Sequence, residues 1–481
     1  MKPAQTMPRR VLARSAPRGQ AISMRGMASG PSKKYLNPTH SFDAPPSAAA
    51  QQSIAAFNEY MLPVYERPPF VLSHGKGSYV FDTEGRKYLD FSAGIAVNAL
   101  GHADEGVLKV INEEAGKLMH ASNVYHNAHA PALAETLVRT TQTEGGVGYA
   151  RGGTRDATPS KIKVFFANSG AEANEGALKV ARRYGKHLFA AANPTADLSS
   201  CNKTRIACFE GSFHGRTMGA LSVTTNAKYQ APFTPLIPGV DVGKLNDVEG
   251  IERLVTPETC GVIVEPIQGE GGINPASEAF LRRLRERCDE VGAVLIFDEI
   301  QRWRLCGLFR TGNMWAHSHL PVECHPDIVT MAKPLANGFP IGAFMVKNEI
   351  AAPMSAGTHG TTFGGSPLAC AIGNHVVQRL AQPSFVKGIC ETAAHLDARL
   401  AALPGWFPDV LQPGVRGRGL IRGLGFKDGA MPGKVAGLAR ERGVFVLTAG
   451  KDAVRLVPSL NVGRDEVDLA MDVLESCLST L

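Results

Sequence analysis

Short apolar runs alternate along the chain with longer segments in which small and apolar residues recur at helical spacing. KVFFA, RIACF, GVIVE, AVLIF and DIVTM are such runs, with apolar residues at consecutive positions rather than at every second one. Strands with this pattern are covered on both faces of their sheet. The segment GAEANEGALKVARRYG, after the first run, has the spacing of a helix. The alternation predicts an α/β fold with a mostly parallel sheet flanked by helices.

The last part of the chain, 371–481, has an alternation of its own. It begins with a long helical pattern, continues through the strand-like stretches GLIRGLGF, VFVLT and AVRLVP and ends in the helical pattern DEVDLAMDVLESCLSTL. We therefore expect a compact second α/β domain. Between 61 and 102, aromatic and polar residues alternate between turn signals, which predicts short strands. Residues 43–55, rich in Ala, Pro, Ser and Gln, are interpreted as a linker.

The positive charge of the chain is concentrated at its N-terminus. Residues 1–42 contain eight of the 51 Lys and Arg residues and no acid, so the rest of the chain has 43 basic and 44 acidic residues. A neutral body argues against a nucleic-acid-binding module. An Arg- and Ser-rich, acid-free N-terminus is typical of a mitochondrial transit peptide, and a disordered basic tail is the alternative.

Cysteine usage and hydropathy argue against further classes of protein. The nine cysteines are scattered and form no C-x-x-C pair, which argues against a disulfide framework and a structural zinc site, so no metal is expected. No apolar run approaches the length of a membrane span. The mitochondrial matrix, which is a reducing compartment, fits these features.

Carboxylates and a lysine amine stand at the ends of two predicted strands. Asp298 and Glu299 end the apolar run AVLIF, and Lys333 ends DIVTMAK, before a turn broken by Pro and Gly. Ligands of open α/β sheets bind at the carboxyl ends of strands. Pyridoxal phosphate needs a lysine amine for attachment and a carboxylate beside its pyridine nitrogen. Alternatively, Asp298 caps a neighbouring helix and Lys333 is a surface residue.

The junction after KVFFA is a candidate phosphate site. Ser169 and Glu172 have the spacing of a capping box, and Gly170 and Ala171 allow close approach to backbone N–H groups at a helix start, where an anion is favoured. A plain strand–helix junction is the alternative. Upstream, the Gly-rich stretch 141–161 is interpreted as a surface loop rather than a phosphate loop, because no strand-to-helix context surrounds it.

Three blocks give a family resemblance. DEIQ, AKPLANGFPIGA and THGTTFGGSPLA are similar to signature blocks of the class III, ornithine-type aminotransferases, and the likeness extends over about 61–481. It implies a fold-type I enzyme that uses pyridoxal 5′-phosphate and works as a homodimer with shared active sites. It also implies a small domain built from both chain ends. The predicted division is a transit peptide at 1–42, a linker and N-terminal segment at 43–100, a large domain at 101–370 and a C-terminal domain at 371–481.

Within the family, the blocks NALGH and FHGR are most similar to members that act on N2-acetyl-L-ornithine. The expected reaction is its transamination with 2-oxoglutarate, which gives N-acetyl-L-glutamate 5-semialdehyde and L-glutamate in arginine biosynthesis. Ornithine δ-aminotransferase or another ω-amino acid aminotransferase is the nearest alternative. An alternative of another class is a catalytically silent paralogue that binds a partner.

The resemblance assigns roles to individual residues. Lys333 holds the cofactor and moves a proton, and Asp298 faces the pyridine nitrogen. Phe213, which could otherwise be core filler, stacks on the cofactor ring, whereas His214 is expected to be a hydrogen-bonded structural residue. The remaining assignments are Ser169, Gly170, Ala171 and Thr362 at the phosphate, Gln301 at the ring oxygen, and Arg216, Thr361, Arg455 and Glu270 at the substrate. For Glu270, a rim salt bridge is the alternative to a gate paired with an arginine.

The chain departs from the family pattern at one place. Family members continue from the Gln of DEIQ directly into Cys-Gly-Leu, whereas here four residues, 302–305, intervene. They are either a tolerated bulge or codons retained at a misplaced splice junction. In both cases Gln301 becomes the least secure of the cofactor contacts.

Overall fold

A computed structural model of the chain describes residues 30–40, 45–153, 160–269, 271–272, 274–300, 308–310 and 312–481. The strands are β1 Leu72–Lys76, β2 Tyr79–Asp82, β3 Lys87–Asp90, β4 Ile162–Ala167, β5 Arg205–Phe209, β6 Val240–Gly243, β7 Thr259–Val264, β8 Ile267–Gln268, β9 Asn274–Pro275, β10 Val294–Asp298, β11 Ile328–Met331, β12 Gly342–Lys347, β13 Arg416–Gly417, β14 Arg422–Gly425, β15 Val444–Phe445, β16 Leu447–Ala449 and β17 Ala453–Leu456.

Helices connect and cover these strands. They are α1 Ala48–Tyr60, α2 Ala93–Ala96, α3 Glu105–Ala115, α4 His129–Glu144, α5 Gly170–Ala192, α6 Met218–Ser222, α7 Ala227–Gln230, α8 Ile251–Leu254, α9 Glu278–Val291, α10 Asn348–Ala351, α11 Pro367–Leu380, α12 Pro383–Ala401, α13 Leu403–Trp406, α14 Met431–Arg440 and α15 Arg464–Leu478. Short 3-10 turns occupy Leu198–Ser200, Ala231–Phe233, Ala316–His319, Val322–Cys324 and Lys333–Ala336.

A mixed sheet forms the centre of the molecule. Its seven strands within the described residues have the order β4-β12-β11-β10-β7-β5-β6. The pairs β10–β11, β10–β7, β5–β7 and β5–β6 are parallel, and β12 is antiparallel to both neighbours. The five apolar runs of the sequence are strands of this sheet, so the predicted mostly parallel sheet is confirmed.

The apolar runs fill cores on both faces of the sheet. In β10, Val294 and Ile296 belong to the core under α5, whereas Leu295 and Phe297 belong to the core under α9. All five residues of β10 are buried, which explains the absence of a polar face in this run. The packing against α5 is close: a Cβ on Gly176 would lie 2.5 Å from Phe344 Cε1. We therefore expect larger residues at Gly176 to push α5 away from β12.

Two smaller sheets bring the ends of the chain together. The N-terminal strands β1, β2 and β3 form a sheet with β15, whose Val444 pairs in parallel with Leu89. The second sheet, in the order β13-β14-β17-β16, is antiparallel. These sheets are compatible with a small domain drawn from both chain ends. The boundaries given for the domains remain a prediction.

The stretch interpreted as a linker at 43–55 is a helix over most of its length. Helix α1 begins after Ser47, whose hydroxyl accepts a hydrogen bond from the N–H of Ala50 at 3.4 Å. The linker interpretation was wrong because it counted Ala, Pro, Ser and Gln together as residues typical of linkers. Alanine is the strongest helix former, and Ser47 supplies the helix cap. None of the helices in the described residues is both long and apolar enough to cross a membrane.

Residues 30–40, which lie within the predicted transit peptide, pack on the C-terminal helices as a strap. Ser32 N–H donates to Glu475 at 2.8 Å, and the buried Arg442 donates to the carbonyls of Tyr35 and Leu36 at 2.6 Å each. His40 ends the strap against the Lys87 carbonyl at 2.8 Å. The strap, defined as residues 30–40, thus satisfies buried polar groups of the folded chain.

The Gly-rich stretch 141–161 is more ordered than a surface loop. Helix α4 continues to Glu144, and Gly145, Gly146 and Val147 are buried. Val147 N–H donates to His317 Nε2 at 3.1 Å. The surface-loop interpretation was therefore wrong for its first half, because a distant histidine satisfies the backbone there, whereas 154–159 lie outside the described residues.

Candidate active site

A cavity of about 370 Å³ lies at the carboxyl ends of the central strands. This is where an open α/β sheet binds its ligands. The cavity includes seven of the predicted site residues and part of the N-terminal segment. Its lining is Val97, Asn168, Ser169, Gly170, Ala171, Phe213, His214, Gly215, Arg216, Asp298, Ile300, Ala332, Lys333, Gly338, Phe339, Pro340 and Ile341.

Asp298, the last residue of β10, is 1% exposed and points into a hydrogen-bonded cluster. Its Oδ2 accepts from His214 Nδ1 at 2.7 Å and from Asn174 Nδ2 at 2.8 Å. Its Oδ1 accepts from the N–H of Ile300 at 2.9 Å. A buried carboxylate with several donors is stabilised in its charged form. The structure therefore provides a fixed negative charge on the cavity wall.

A second layer of polar side chains holds the Asp298 cluster in place. Thr330, which pairs with Asp298 across β10 and β11, donates to Asn174 Oδ1 at 2.8 Å. Asn174 also donates to the carbonyl of His214 at 2.7 Å. With Nδ1–H of His214 bonded to Asp298, the ring nitrogen Nε2 has no hydrogen-bond partner in the described residues. His214 is thus a hydrogen-bonded, buried residue, as the sequence analysis expected.

Lys333 lies at the end of β11, where the chain leaves the sheet abruptly. The strand ends at Met331, and Lys333 begins a 3-10 turn with Pro334 next. The φ of Lys333 is 27°, in the left-handed region. Such a conformation costs roughly 1–3 kcal/mol and persists only where the surroundings impose it. The turn sets the side chain of Lys333 in the same cavity wall as Asp298.

The N-terminus of α5 forms another part of the wall. Ser169 Oγ accepts from the N–H of Glu172 at 3.2 Å, as the capping box requires, but the Glu172 carboxylate turns to the N–H of Asn168 at 2.5 Å. The second bond of the predicted capping box, from the N–H of Ser169 to the Glu172 carboxylate, is therefore not formed, and that part of the prediction was wrong. A Cβ on Gly170 would lie 2.4 Å from the Ile300 side chain, so only glycine fits there. Exposed N–H groups at this helix start suit a phosphate.

Phe213 and Arg216 follow β5 and also line the cavity. Phe213 N–H donates to the buried carboxylate of Glu265 at 3.1 Å, and Glu265 also accepts from Gly269 N–H at 3.2 Å. The Arg216 guanidinium lies 5.6 Å from the Phe213 ring centre. Arg216 has no acidic partner within the described ranges. A cation in a cavity wall without a protein anion is suited to a carboxylate of the ligand.

The N-terminal segment contributes Val97 through a strained turn. The residues Ala93, Ile95 and Ala96 have φ values of 44°, 65° and 63°, although L residues rarely adopt the left-handed region. Asp90 fixes this turn, since its Oδ1 accepts from Ala93 N–H at 2.9 Å. Burial raises the pKa of Asp90, but hydrogen bonds from His102 and Ser92 more than offset burial and hold the pKa below its ordinary value. Asp90 is therefore a charged anchor for the turn.

Three described residues that were predicted for substrate or phosphate, Thr361, Thr362 and Arg455, do not line the cavity. Thr361 Oγ1 accepts from Asn168 Nδ2 at 3.0 Å, one side chain away from the cavity. Thr362 is exposed. Arg455 is buried on β17, 4% exposed. Glu270, Gln301 and the segment 302–305 lie outside the described residues.

Sequence reasoning missed Asn174, Thr330 and Glu265. Asn174 is a fully buried polar residue on the helix face that packs on the sheet, and Glu265 follows a buried strand. A polar residue among apolar neighbours was the available signal, because a buried polar group needs a partner. Which partner it has depends on contacts between residues far apart in the chain.

The donor set of the cavity fits pyridoxal phosphate. Asp298 would face the pyridine nitrogen, the Lys333 amine would attach the aldehyde, and the start of α5 would take the phosphate. Phe213 offers an apolar face for the ring. Within the described residues, no group of three or more His, Cys, Asp and Glu side chains is placed to hold a metal ion.

Comparisons with known proteins agree with this geometry. A family model described as aminotransferase class-III matches residues 60–478. The mitochondrial acetylornithine aminotransferase of Neurospora crassa is 49% identical to the chain over 416 residues, which are 86% of this chain and 84% of that protein.

Two solved structures resemble the fold. An ornithine aminotransferase from Toxoplasma gondii superposes with a TM-score of 0.77 at 29% identity and covers 90% of this chain and 95% of its own. An N-acetylornithine aminotransferase from Stenotrophomonas maltophilia superposes with a TM-score of 0.69 at 33% identity and covers 89% of this chain and 98% of its own.

Proposed function

The chain belongs to the class III aminotransferases, and we propose that it transfers the δ-amine of N2-acetyl-L-ornithine to 2-oxoglutarate, with N-acetyl-L-glutamate 5-semialdehyde and L-glutamate as products. The observation that carries the choice of amino donor is the 49% identity to the Neurospora crassa acetylornithine aminotransferase over most of both chains. The cavity supports the reaction type, since it combines an amine, a buried carboxylate and a helix start that suits phosphate.

The cofactor of the chain is pyridoxal 5′-phosphate. When bound, it supplies the electron-withdrawing ring that stabilises the electron pair left on a substrate carbon. Asp298, whose buried carboxylate lines the cavity, would keep the ring nitrogen protonated. His214 and Asn174 hold that carboxylate in position through bonds of 2.7 and 2.8 Å.

Lys333 has two roles in the proposed mechanism. Its amine would hold the cofactor through the aldehyde group, and Nζ, when not so engaged, would take the proton from the substrate carbon that bears the reacting amine and deliver it to the carbon that gains a hydrogen. Proton transfer by a positioned side chain contributes on the order of 10²–10⁴ in rate. The left-handed turn at Lys333 supports this role because it fixes where the side chain enters the cavity.

The substrate carboxylates are bound by charged and hydroxyl side chains near the cavity. Arg216 takes the α-carboxylate of the amino donor and Thr361 contacts the substrate beside it. Arg455 clamps the α-carboxylate of glutamate or 2-oxoglutarate, with Glu270 as its gate. The two half-reactions, one with the amino donor and one with 2-oxoglutarate, occur at the same site. Both therefore use Lys333 and Asp298.

A rate comparison on the purified protein tests the amino donor. We expect kcat/KM for N2-acetyl-L-ornithine to exceed that for free L-ornithine, with 2-oxoglutarate as acceptor in both assays. The TM-score of 0.77 with the Toxoplasma gondii ornithine aminotransferase favours the second candidate, an ornithine δ-aminotransferase. A clear preference for free ornithine would replace the first candidate by the second.

A catalytically silent paralogue is distinguished by colour. An active aminotransferase binds its cofactor and absorbs visible light, and the Lys333→Ala variant loses the absorbance typical of the attached cofactor. A wild type that stays colourless after incubation with pyridoxal 5′-phosphate would favour a silent, partner-binding subunit.

The active unit is a homodimer in which Thr362 reaches the phosphate of the partner's site. The exposure of Thr362 supports this assignment, since its side chain is available to another chain. Mixing two inactive variants, Lys333→Ala and Thr362→Ala, tests it. If Thr362 acts across the interface, each mixed dimer contains one intact site and activity returns. If Thr362 acts within its own subunit, no mixed dimer has an intact site and activity stays low.

The enzyme is mitochondrial, and its presequence ends before the strap. Similarity to enzymes named as mitochondrial supports the location. The contacts of the strap with Glu475 and Arg442 support the boundary, because cleavage after residue 42 would remove acceptors of a buried guanidinium. We expect a chain that begins at residue 30 to melt like the mature protein and one that begins at 43 to melt at a lower temperature. Equal melting temperatures would contradict the proposed boundary.

A further inference from the structure

Arg216 has an aromatic neighbour outside the cavity lining. The Cζ atom of Arg216 lies 3.5 Å from the centre of the Tyr229 ring. The rings of Tyr229 and Phe213 meet edge to face, with centroids 6.0 Å apart and an angle of 86° between their planes. Arg216 and Phe213 line the cavity, and Tyr229 lies behind them. Tyr229 is therefore placed to affect the cavity through Arg216.

The stacking leaves the edge of the Arg216 guanidinium available. Among the residues that the structure describes, Arg216 has neither an ion pair nor a hydrogen bond, and its recorded contacts are with the two aromatic faces. A guanidinium on an aromatic face is attracted through its flat side, so its N–H groups still point outward in the plane. That edge is the part that binds a carboxylate with two parallel hydrogen bonds.

Tyr229 is held firmly enough to act as a support. It belongs to α7, where Asn226 Oδ1 accepts from the N–H of Lys228 at 3.0 Å. Gln230 Nε2 donates to the carbonyl of Leu221 at 3.1 Å, which ties α7 to α6. The backbone that carries Tyr229 is thus held by bonds on both sides of it in the sequence.

The backbone beside Arg216 is fixed separately. Glu175 Oε1 on α5 accepts from Thr217 Oγ1 at 2.7 Å, from Gly219 N–H at 2.8 Å and from Ala220 N–H at 3.1 Å. These bonds anchor the start of α6 immediately after Arg216. Glu175 therefore sets where the Arg216 side chain starts, and the Tyr229 ring sets where it ends.

We propose that Tyr229 is a positioning residue that orients the Arg216 guanidinium for the α-carboxylate of the amino donor and so contributes to substrate binding. The inference rests on the proposed function, because it assigns Arg216 to that carboxylate. It adds a residue that does not line the cavity itself. Its effect is expected in substrate binding rather than in the proton transfer at Lys333.

Three variants of the holoenzyme test the proposal. Tyr229→Leu keeps an apolar side chain but removes the aromatic face, Tyr229→Phe keeps the face, and Lys228→Ala is the matched control on the same helix. We expect Tyr229→Leu to raise KM for N2-acetyl-L-ornithine about threefold, which corresponds to the loss of a cation–aromatic contact between an exposed arginine and a half-buried tyrosine. The kcat values of all three variants stay close to that of the wild type. Tyr229→Phe and Lys228→Ala also keep the wild-type KM.

Binding of an unreactive analogue separates positioning from a general loss of structure. N2-acetyl-L-norvaline keeps the acetyl and carboxylate groups of the donor but lacks its amine. We expect its Kd to rise with Tyr229→Leu by about the same factor as KM, while visible absorbance and melting temperature stay unchanged. In an Arg216→Lys background, Tyr229→Leu should add little, because coupled residues are not additive.

Two outcomes would overturn the inference. An unchanged KM and Kd in Tyr229→Leu would show that Arg216 needs no aromatic support. Additive effects of the Tyr229 and Arg216 substitutions would show that Tyr229 acts elsewhere. Failure of the proposed function is a separate result: the wild type would then not transaminate N2-acetyl-L-ornithine, and the same test would be repeated with the donor that it accepts.

Discussion

Asp298 and Glu299 are neighbours at the end of one strand, yet they belong to different regions of the molecule. Both are buried, and both accept from Nδ1 of a buried histidine: Asp298 from His214 at 2.7 Å and Glu299 from His317 at 2.6 Å. Asp298 lines the cavity. Glu299 instead accepts from Ala316 N–H at 2.9 Å and, through His317, supports the backbone of Val147.

The two pairs differ in surroundings rather than in chemistry. The front region, defined as Asp298, His214, Asn174 and Thr330, borders the cavity, so its charge can act on a ligand. The back region, defined as Glu299, His317, His325, Trp315 and Thr141, is buried and does not line the cavity, so its hydrogen bonds stabilise the fold. Successive side chains of an extended chain point to opposite sides, which separates the two acids. An acid–histidine pair is therefore insufficient to identify a catalytic site.

Replacing each carboxylate by its amide should give the largest difference in activity between the front and back regions. Asp298→Asn removes the charge that faces the ligand, and we expect kcat to fall on the order of 10²–10³-fold, as for the loss of other preorganised electrostatic groups. Glu299→Gln should leave kcat close to the wild-type value and lower the free energy of unfolding by about 1–3 kcal/mol, since a buried histidine loses its charged acceptor. Steady-state kinetics and denaturant unfolding of both variants measure this. Equal losses of kcat would contradict the division into two regions.

Acid should lower the stability of the folded protein through His325 of the back region. Burial, reinforced by the neighbouring His317, lowers the pKa of His325 from 6.5 to about 3. The unfolded chain therefore binds a proton that the folded chain does not, and stability falls as the pH falls from about 6.5 toward 3. The loss between pH 7 and pH 5 is about 2 kcal/mol.

The variant His325→Asn isolates that contribution. Its amide oxygen can still accept from Gly148 N–H, as His325 Nδ1 does at 3.2 Å, but it does not titrate. We expect the variant to lose about 2 kcal/mol less than the wild type between pH 7 and pH 5 in denaturant unfolding. Identical pH dependence in the two proteins would refute the assignment of a buried neutral histidine.

Removing one hydroxyl from each region gives the smallest contrast. Thr330→Val breaks the bond to Asn174 in the front region, and Thr141→Val breaks the 2.9 Å bond from Trp315 Nε1 in the back region. Each should lower the free energy of unfolding by about 1 kcal/mol. Only Thr330→Val should also weaken cofactor binding, measured by titration of the cofactor-free protein. Weakened binding in Thr141→Val would mean that the regions are coupled.

The sequence predicted the elements and the ends of the strands better than the contacts between them. Local patterns predicted the strand β10, the junction of β4 with α5 and the turn after β11. These three elements place Asp298, Ser169 and Lys333 in one cavity. Such patterns are local, because strand ends and helix caps depend on a few neighbouring residues.

The parts that failed depend on distant residues or on composition. Most of the stretch interpreted as a linker at 43–55 belongs to the helix Ala48–Tyr60. The backbone at Gly145–Val147 was interpreted as a surface loop because its partner, His317, lies 170 positions from Val147 in the sequence. Glu172 bonds to Asn168 rather than completing the capping box. The spatial partners of Asn174 and Tyr229 could not be read from the sequence, because their contacts form only when distant segments pack.

The central claim is that the front region faces a cofactor attached to Lys333. Borohydride reduction of the holoenzyme, followed by digestion and mass spectrometry, tests it most directly because reduction fixes the cofactor to the residue that holds it. The account predicts the added mass on the peptide that contains Lys333. A label on another lysine, or on none, would contradict it.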